Sequence, residues 1–185
     1  MNQVRIIGGV WRRRLLHFPD GDALRPTPDR VRETVFNWLG QDLTGQSCLD
    51  LFAGSGALGF EAASRGAARV VLVDVAEKAI QSLRKNVNAL EASGKVEVIA
   101  MNALEYPPFH QTTGQERFDV AFLDPPYRQG WLSRLEPWLA GLLKPDAALY
   151  VESESPLAAL GCWKTTRQGR AGQVYFHLLR QEPLV

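Results

Sequence analysis

The chain has 185 residues, 45% of them hydrophobic and 22% charged, with a formal net charge of +1. That length suits one domain with a sizeable core, and the composition excludes a disordered or collagen-like chain. Two cysteines exclude a disulfide framework, the three histidines show no metal-ligand spacing, and no apolar run approaches bilayer-spanning length, so the expectation is a soluble, reducing, cytoplasmic setting with no bound metal and no membrane partner.

The charge is unevenly spread. Residues 1–40 carry seven Arg against four acids, and the first nineteen carry four Arg and no acid. A basic arm on a mildly acidic body points to a polyanion partner. Residues 3–18 read as two short strands around Gly8-Gly9, a hairpin signal. Arg5, Arg12, Arg13 and Arg14 surround Trp11 there, which suits nucleic acid, with guanidinium meeting phosphate and the ring meeting a base. The same pattern suits a Trp packed on the body with solvated Arg residues, and the two are compatible. A polar link over 19–26 precedes a helix with Thr27 as N-cap, Pro28 at the first position and Asp29 and Glu33 in the first turns. Val31, Val35, Trp38 and Leu39 form its buried stripe, and Gly40 ends it. Residues 1–40 are thus expected as an extension of hairpin and helix, and 41–185 as the main domain.

From Ser47 the pattern alternates. Strands are predicted near 48–52, 69–73, 95–99, 118–123 and 147–152, and helices near 57–65, 76–91 and 131–142. Such alternation implies a parallel sheet with helices on both faces. Residues 161–167 and 172–180 read as two further strands whose short link permits only antiparallel pairing. The expected architecture is Rossmann-like α/β with a mostly parallel seven-stranded sheet, an antiparallel C-terminal hairpin and an N-terminal β-hairpin extension.

The first strand–helix junction reads Asp50-Leu51-Phe52-Ala53-Gly54-Ser55-Gly56, with Gly59 completing a G-x-G-x-x-G register. Glycines there permit a tight turn and close approach of a ligand to the backbone. Asp74, twenty residues past Gly54, stands where a carboxylate can accept both hydroxyls of an adenosine ribose. Asp50 argues against a dinucleotide, because it adds negative charge where a diphosphate would sit. A cationic sulfonium and amino group, as in S-adenosylmethionine, suit it better. Asn102, after the third strand, can read an adenine edge while Ala103 or Leu104 packs on its face; a loop Asn also serves as a turn residue. Asp124-Pro125-Pro126-Tyr127 leaves a carboxylate, a rigid turn and an aromatic ring at the C-terminal edge of a central strand, where ligands bind in open α/β sheets.

These motifs, in this order, resemble those of class I S-adenosylmethionine-dependent methyltransferases. The Asp124–Tyr127 group is similar to the signature of enzymes that methylate a nitrogen conjugated to a π-system. Arg5-Ile6-Ile7-Gly8-Gly9, Trp11-Arg12, Arg25-Pro26-Thr27, Asp29 to Leu39 and Val151-Glu152-Ser153-Glu154 resemble the signature of the RsmD family, 16S ribosomal RNA guanine-N(2) methyltransferases. The resemblance implies S-adenosyl-L-methionine as cofactor, a guanine at position 966 as target, a partly or fully assembled small subunit as substrate, and Thr27 and Arg30 near the cofactor. A monomer is expected. Two departures stand out: Pro28 replaces a usual Thr, and Arg13 a usual small residue, often Gly.

An aromatic exocyclic amine is a poor nucleophile because its lone pair is delocalised. The Asp124 side chain and the Pro125 carbonyl can accept its two N–H bonds and favour a pyramidal nitrogen, while Tyr127 stacks on the base. The Asp124 carboxylate also stabilises the positive charge that develops on nitrogen. Three other readings stay open: methylation of DNA adenine or a protein amide, a nicotinamide-dependent dehydrogenase, and a non-catalytic ribosome-assembly binder. Asp124 in place of Asn and the absence of a target-recognition insertion weigh against the first. The lack of a clear acid/base residue weighs against the second, and the intact motifs against the third.

Overall fold

Five parallel strands form the centre of the computed structural model, which describes residues 2–20 and 26–181; Arg25 of the family signature, with the rest of the 21–25 link, lies outside them. In spatial order they are β5 (Val96–Ala100), β4 (Arg69–Asp74), β3 (Ser47–Asp50), β6 (Phe118–Leu123) and β7 (Leu143–Ser153). Three antiparallel strands extend the sheet beyond β7: β10 (Val174–Gln181), β9 (Trp163–Ala171) and β8 (Ala159–Leu160). The sheet therefore has eight strands, the seven expected plus the two-residue β8. From β3 the chain proceeds outward through β4 and β5, then returns to place β6 on the other side of β3. This reversal opens a crevice between the carboxyl ends of β3 and β6, the position at which such sheets bind ligands.

The two faces carry separate cores. On one, α1 (Asp29–Leu39), α2 (Ala57–Ser64) and α3 (Glu77–Ala89) bury Val35, Phe36, Phe60, Leu83 and Val87. On the other, α4 (Tyr106–Thr113) and α5 (Trp131–Leu142) bury Tyr106, Leu135 and Leu139. Alternation along β3 supplies both sides, with Cys48 in the first core and Leu49 in the second. Helix α4 has no counterpart among the predicted elements. Pro107-Pro108 suggests a break, yet both prolines fall in the first turn, where a missing N–H leaves no helical bond unmade. Strand β7 starts at Leu143, earlier than predicted, with a register irregularity between Phe118 and Val120 on its partner.

The N-terminal hairpin pairs β1 (Asn2–Arg5) with β2 (Leu15–Phe18) in antiparallel register, Val4 opposite Leu16. Gly8-Gly9 does not form a tight two-residue turn between them; it lies in a longer connection pressed against α2. A side chain at Gly9, where φ is +74°, would place its Cβ 1.8 Å from the Ser64 carbonyl oxygen. The backbone N–H groups of Ile7 and Gly8 each donate to a carboxylate oxygen of Glu61 at 2.8 Å. Glu61 also pairs with Arg32 and Arg65, and the Arg32 guanidinium donates to the Arg5 carbonyl. Val4, Ile6, Leu16 and Phe18 join the first core, so the hairpin is packed on the body. Arg13 adopts a φ of 71°, left-handed backbone that favours glycine, which accounts for the small residue usual at that position.

Helix α1 begins at Asp29, one residue later than the expected Pro28. Its N-cap is Pro28, without a side-chain cap bond, and the expected Thr27 cap is not formed. The Thr27 hydroxyl instead donates to the buried carboxylate of Glu152, 3.1 Å away, a charge-assisted partner stronger than a backbone amide. Gly40 ends the helix in the left-handed conformation, as predicted.

Candidate active site

At the β3–α2 junction Gly54 and Gly56 have φ of 52° and 79°. The first N–H of the loop is tied down, because Gly54 donates to Asp74 Oδ2 at 2.8 Å and Ala76 donates to Oδ1 at 2.8 Å. Each Asp74 oxygen retains lone-pair capacity for a further donor. Ala53 and Ser55 are buried, with Ala53 N–H bonded to the Val73 carbonyl and Ser55 Oγ accepting from Ala57 N–H. Gly59 serves close helix–strand packing, since a Cβ there would lie 2.2 Å from Leu72 Cδ2. Phe52 stands edge-on to Trp131, with ring centroids 5.3 Å apart.

Asp50 ends β3 and is 2% exposed. Burial drives its carboxyl up from the ordinary 3.8 to about 7; Asp74 and Glu152 push the same way, and the Phe52 and Gly59 N–H groups pull against them. Asp124 follows β6 and is half-buried. Its carboxyl is also raised well above the ordinary range, by burial first and then by Glu152 and Asp50. Every charged side chain acting on it is itself an acid. Pro125 is buried, Pro126 exposed, and Tyr127 is 44% exposed at the crevice mouth. Burial and the neighbouring acids raise the Tyr127 phenol to about 12, so it stays neutral.

Glu152, at the end of β7, completes the group. Its signature segment stands out in the sequence without indicating a role for Glu152 itself. It is 7% exposed, and its Oε1 accepts from the Tyr150 hydroxyl at 2.8 Å and from Thr27 at 3.1 Å. The sequence signal is a lone acid closing the buried run Ala147-Ala148-Leu149-Tyr150-Val151. Thr27 thus reaches the site from the start of α1. Arg30 is exposed, and among the described residues no hydrogen bond or ion pair joins its guanidinium to the site. Asn102 accepts the Leu104 N–H on Oδ1 at 2.9 Å, and its carbonyl receives Glu105 and Tyr106, so it organises the turn into α4. Ala103 is buried in the second core.

The arm residues divide. Trp11 is half-buried against the first core, with the Lys95 ammonium 4.8 Å from its ring centroid. That face of the ring is used for packing. Arg5, Arg12, Arg13 and Arg14 are exposed, and Arg14 also donates to the Ala89 carbonyl at 2.8 Å.

A site whose buried charges are all acidic suits a cationic ligand and opposes a diphosphate, which fits the sulfonium and amino group of S-adenosylmethionine. Comparisons with known proteins agree with that chemistry. The family described as conserved hypothetical protein 95 matches residues 4–180. Ribosomal RNA small subunit methyltransferase D of Escherichia coli K12 is 43% identical over 185 residues, covering 97% of this chain and 91% of its own. Its Haemophilus influenzae namesake is 40% identical, with 95% and 93% covered. The structure of a putative methyltransferase, yhhF, from Escherichia coli superposes with a TM-score of 0.85 at 41% identity, covering 99% of this chain and 100% of that one. The chain therefore belongs to the conserved hypothetical protein 95 family, the RsmD family whose motifs it carries, on the class I S-adenosylmethionine-dependent methyltransferase fold.

Proposed function

We propose that this protein transfers a methyl group from S-adenosyl-L-methionine to the exocyclic amine of a guanine in 16S rRNA, at position 966, in a partly or fully assembled small ribosomal subunit. The observation that carries the reading is the pairing of a half-buried Asp124 with the exposed ring of Tyr127, at a crevice whose other buried charges are acids. When bound, the cofactor supplies an electrophilic methyl carbon on a cationic sulfur. Asp50 and its acidic neighbours favour that charge electrostatically. Asp74 accepts the ribose hydroxyls, and the Gly54–Gly56 loop lets the nucleoside approach the backbone. Since Asn102 Oδ1 is engaged with Leu104, its amide N–H groups remain to donate to the adenine edge.

Tyr127 stacks on the target base, and Asp124 with the Pro125 carbonyl accepts the two amine N–H bonds, freeing the lone pair toward the methyl group. Placing nitrogen and carbon roughly 3–3.5 Å apart and in line supplies much of the acceleration. A guanine amine inside a duplex does not reach so recessed an acid, so the target enters unpaired or extruded. Residues 1–40 act as the RNA-holding extension, with Arg5, Arg12, Arg13 and Arg14 on flanking phosphates, and the protein works as a monomer. The test is transfer of labelled methyl to unmodified small subunits, naked 16S RNA and DNA, followed by nucleoside identification. Labelled N2-methylguanosine is expected; label in adenine or in protein overturns the proposal.

A further inference from the structure

The motif chemistry leaves Glu152 without a task, although it is built into the site from three sides. The parallel register pairs Leu123 of β6 with Val151 of β7, so Asp124 and Glu152 lie side by side at adjacent strand ends. Side chains at matched positions of neighbouring strands point the same way, so the two carboxyl groups are neighbours, and each acts on the ionisation of the other. Two neighbouring carboxylates withdrawn from water repel each other when both are ionised, which favours one proton held by the pair. Its location follows from the other contacts. Glu152 Oε1 already accepts two hydroxyls, from Tyr150 on its own strand and from Thr27 ahead of α1. Those donors favour the ionised form on Glu152 and leave the proton on Asp124. The surroundings agree: Asp50 on β3 repels a second charge on Asp124, and the neighbouring Tyr127 and Tyr150 are phenols raised above their ordinary value, chiefly by burial. Glu154, past the end of β7, acts on Tyr127.

A protonated Asp124 is a poor acceptor for a substrate N–H. We propose that Glu152 is a positioning residue that holds a proton on Asp124 in the free protein, and that the pair releases this proton as the cationic cofactor enters, leaving Asp124 ionised and aimed at the substrate amine. The inference rests on the cofactor and on the Asp124 role proposed above. The proton leaves to solvent in the binding step. During transfer, the nitrogen–carbon bond forms and the carbon–sulfur bond breaks, with its electron pair going to sulfur. The surplus proton on nitrogen then passes to the vacated pair. The site thus ends with one shared proton beside a neutral thioether, the state from which product leaves without a buried carboxylate pair facing no cation.

Calorimetric titration at pH 7, in buffers of different ionisation enthalpy, tests this with S-adenosyl-L-methionine and with S-adenosyl-L-homocysteine, which lacks the sulfonium charge. Asp50 also titrates near pH 7, so the proton of the pair is read as a difference between wild type and Glu152→Gln. The wild type is expected to release close to one proton more than Glu152→Gln on binding S-adenosyl-L-methionine, and clearly fewer on binding S-adenosyl-L-homocysteine. Its affinity for S-adenosyl-L-methionine should tighten with rising pH more steeply than that of the variant, by up to tenfold per pH unit for one proton. Gln keeps an acceptor for Tyr150 and Thr27; Asp124→Asn breaks the same pair from the other side and is expected to lose the same proton. Equal release by the wild type and both variants overturns the inference while leaving the cofactor reading intact. Failure of the wild type to bind S-adenosyl-L-methionine overturns both.

Discussion

Replacing Asp50 by Asn is expected to stabilise the cofactor-free protein at alkaline pH and to weaken its hold on the cofactor. Asp50 is 2% exposed, and its carboxyl rises from 3.8 to about 7 on folding. A carboxyl with a raised folded pKa binds a proton in the folded state that the unfolded chain has already lost. Its contribution to stability is therefore fully present below pH 3.8 and is lost as pH climbs toward 7. At 1.36 kcal/mol per unit, the whole window is worth about 4 kcal/mol, and the part between pH 5 and pH 8 about 3 kcal/mol, both upper bounds. The Asn carbonyl can still accept from the Phe52 and Gly59 N–H groups. Any cost of burying its amide is independent of pH and cancels when the same pair of proteins is compared across pH. Because Asp50 also pushes up the Asp124 carboxyl, removing it relieves part of that penalty in the same direction. Urea unfolding of both proteins at pH 5, 6, 7 and 8 measures the difference directly. The variant should gain on the wild type by up to about 3 kcal/mol from pH 5 to pH 8. A constant difference would show that Asp50 is ionised throughout and would falsify the account of the site as a proton-loaded acidic pocket.

Other predictions concern the reaction and the arm. Asp124→Ala is expected to cut turnover by about 10²–10³, with a much smaller change in cofactor affinity measured by calorimetry; normal turnover removes Asp124 from the chemistry. Tyr127→Ala should cost on the order of 1–3 kcal/mol in RNA binding, whereas Tyr127→Phe should bind as the wild type does, since stacking needs the ring and not the hydroxyl. If the Phe variant matches Ala in a binding assay, the hydroxyl is the active group. Changing Arg12, Arg13 and Arg14 together to Gln should flatten the plot of log affinity against log salt by about 2 for single-stranded RNA, at roughly 0.7 per lost phosphate contact; an unchanged slope places the RNA elsewhere. Gly9→Ala should lose about 2–4 kcal/mol in chemical denaturation, because its Cβ meets the Ser64 carbonyl and its φ of +74° disfavours any side chain. A loss below 1 kcal/mol would mean that the arm shifts freely on α2.

The readable parts of the sequence were those where local chemistry and fold agree. The glycine register, Asp74 and the apolar run before Asp124 each have a local physical meaning, and each lies where that meaning requires. Failures came where a distant partner decides. Thr27 has the chemistry of an N-cap, but a buried carboxylate from a strand 125 residues away takes its hydroxyl. Glu152 looks like the solvated end of a strand until β6 brings Asp124 beside it. Trp11 suits both stacking and packing in the sequence, and Lys95, in the turn just before β5, takes one face of its ring for packing. Pro107-Pro108 shows a different limit: the rule that prolines break helices is positional, and only the start of α4 reveals the position.

Helix α2 joins two parts of the protein that the sequence keeps separate. Its N-terminus continues the glycine loop at Ala57, and its later residues Glu61 and Ser64 grip the arm through Ile7, Gly8, Val10 and Trp11. Eight helical residues span roughly 12 Å at 1.5 Å each, and this helix is buried along its whole length. It therefore works as a rigid ruler between the arm and the nucleoside loop. One residue inserted before Glu61 would turn the gripping face by about 100°, detaching the arm's register from the reaction centre while leaving every side chain of both intact.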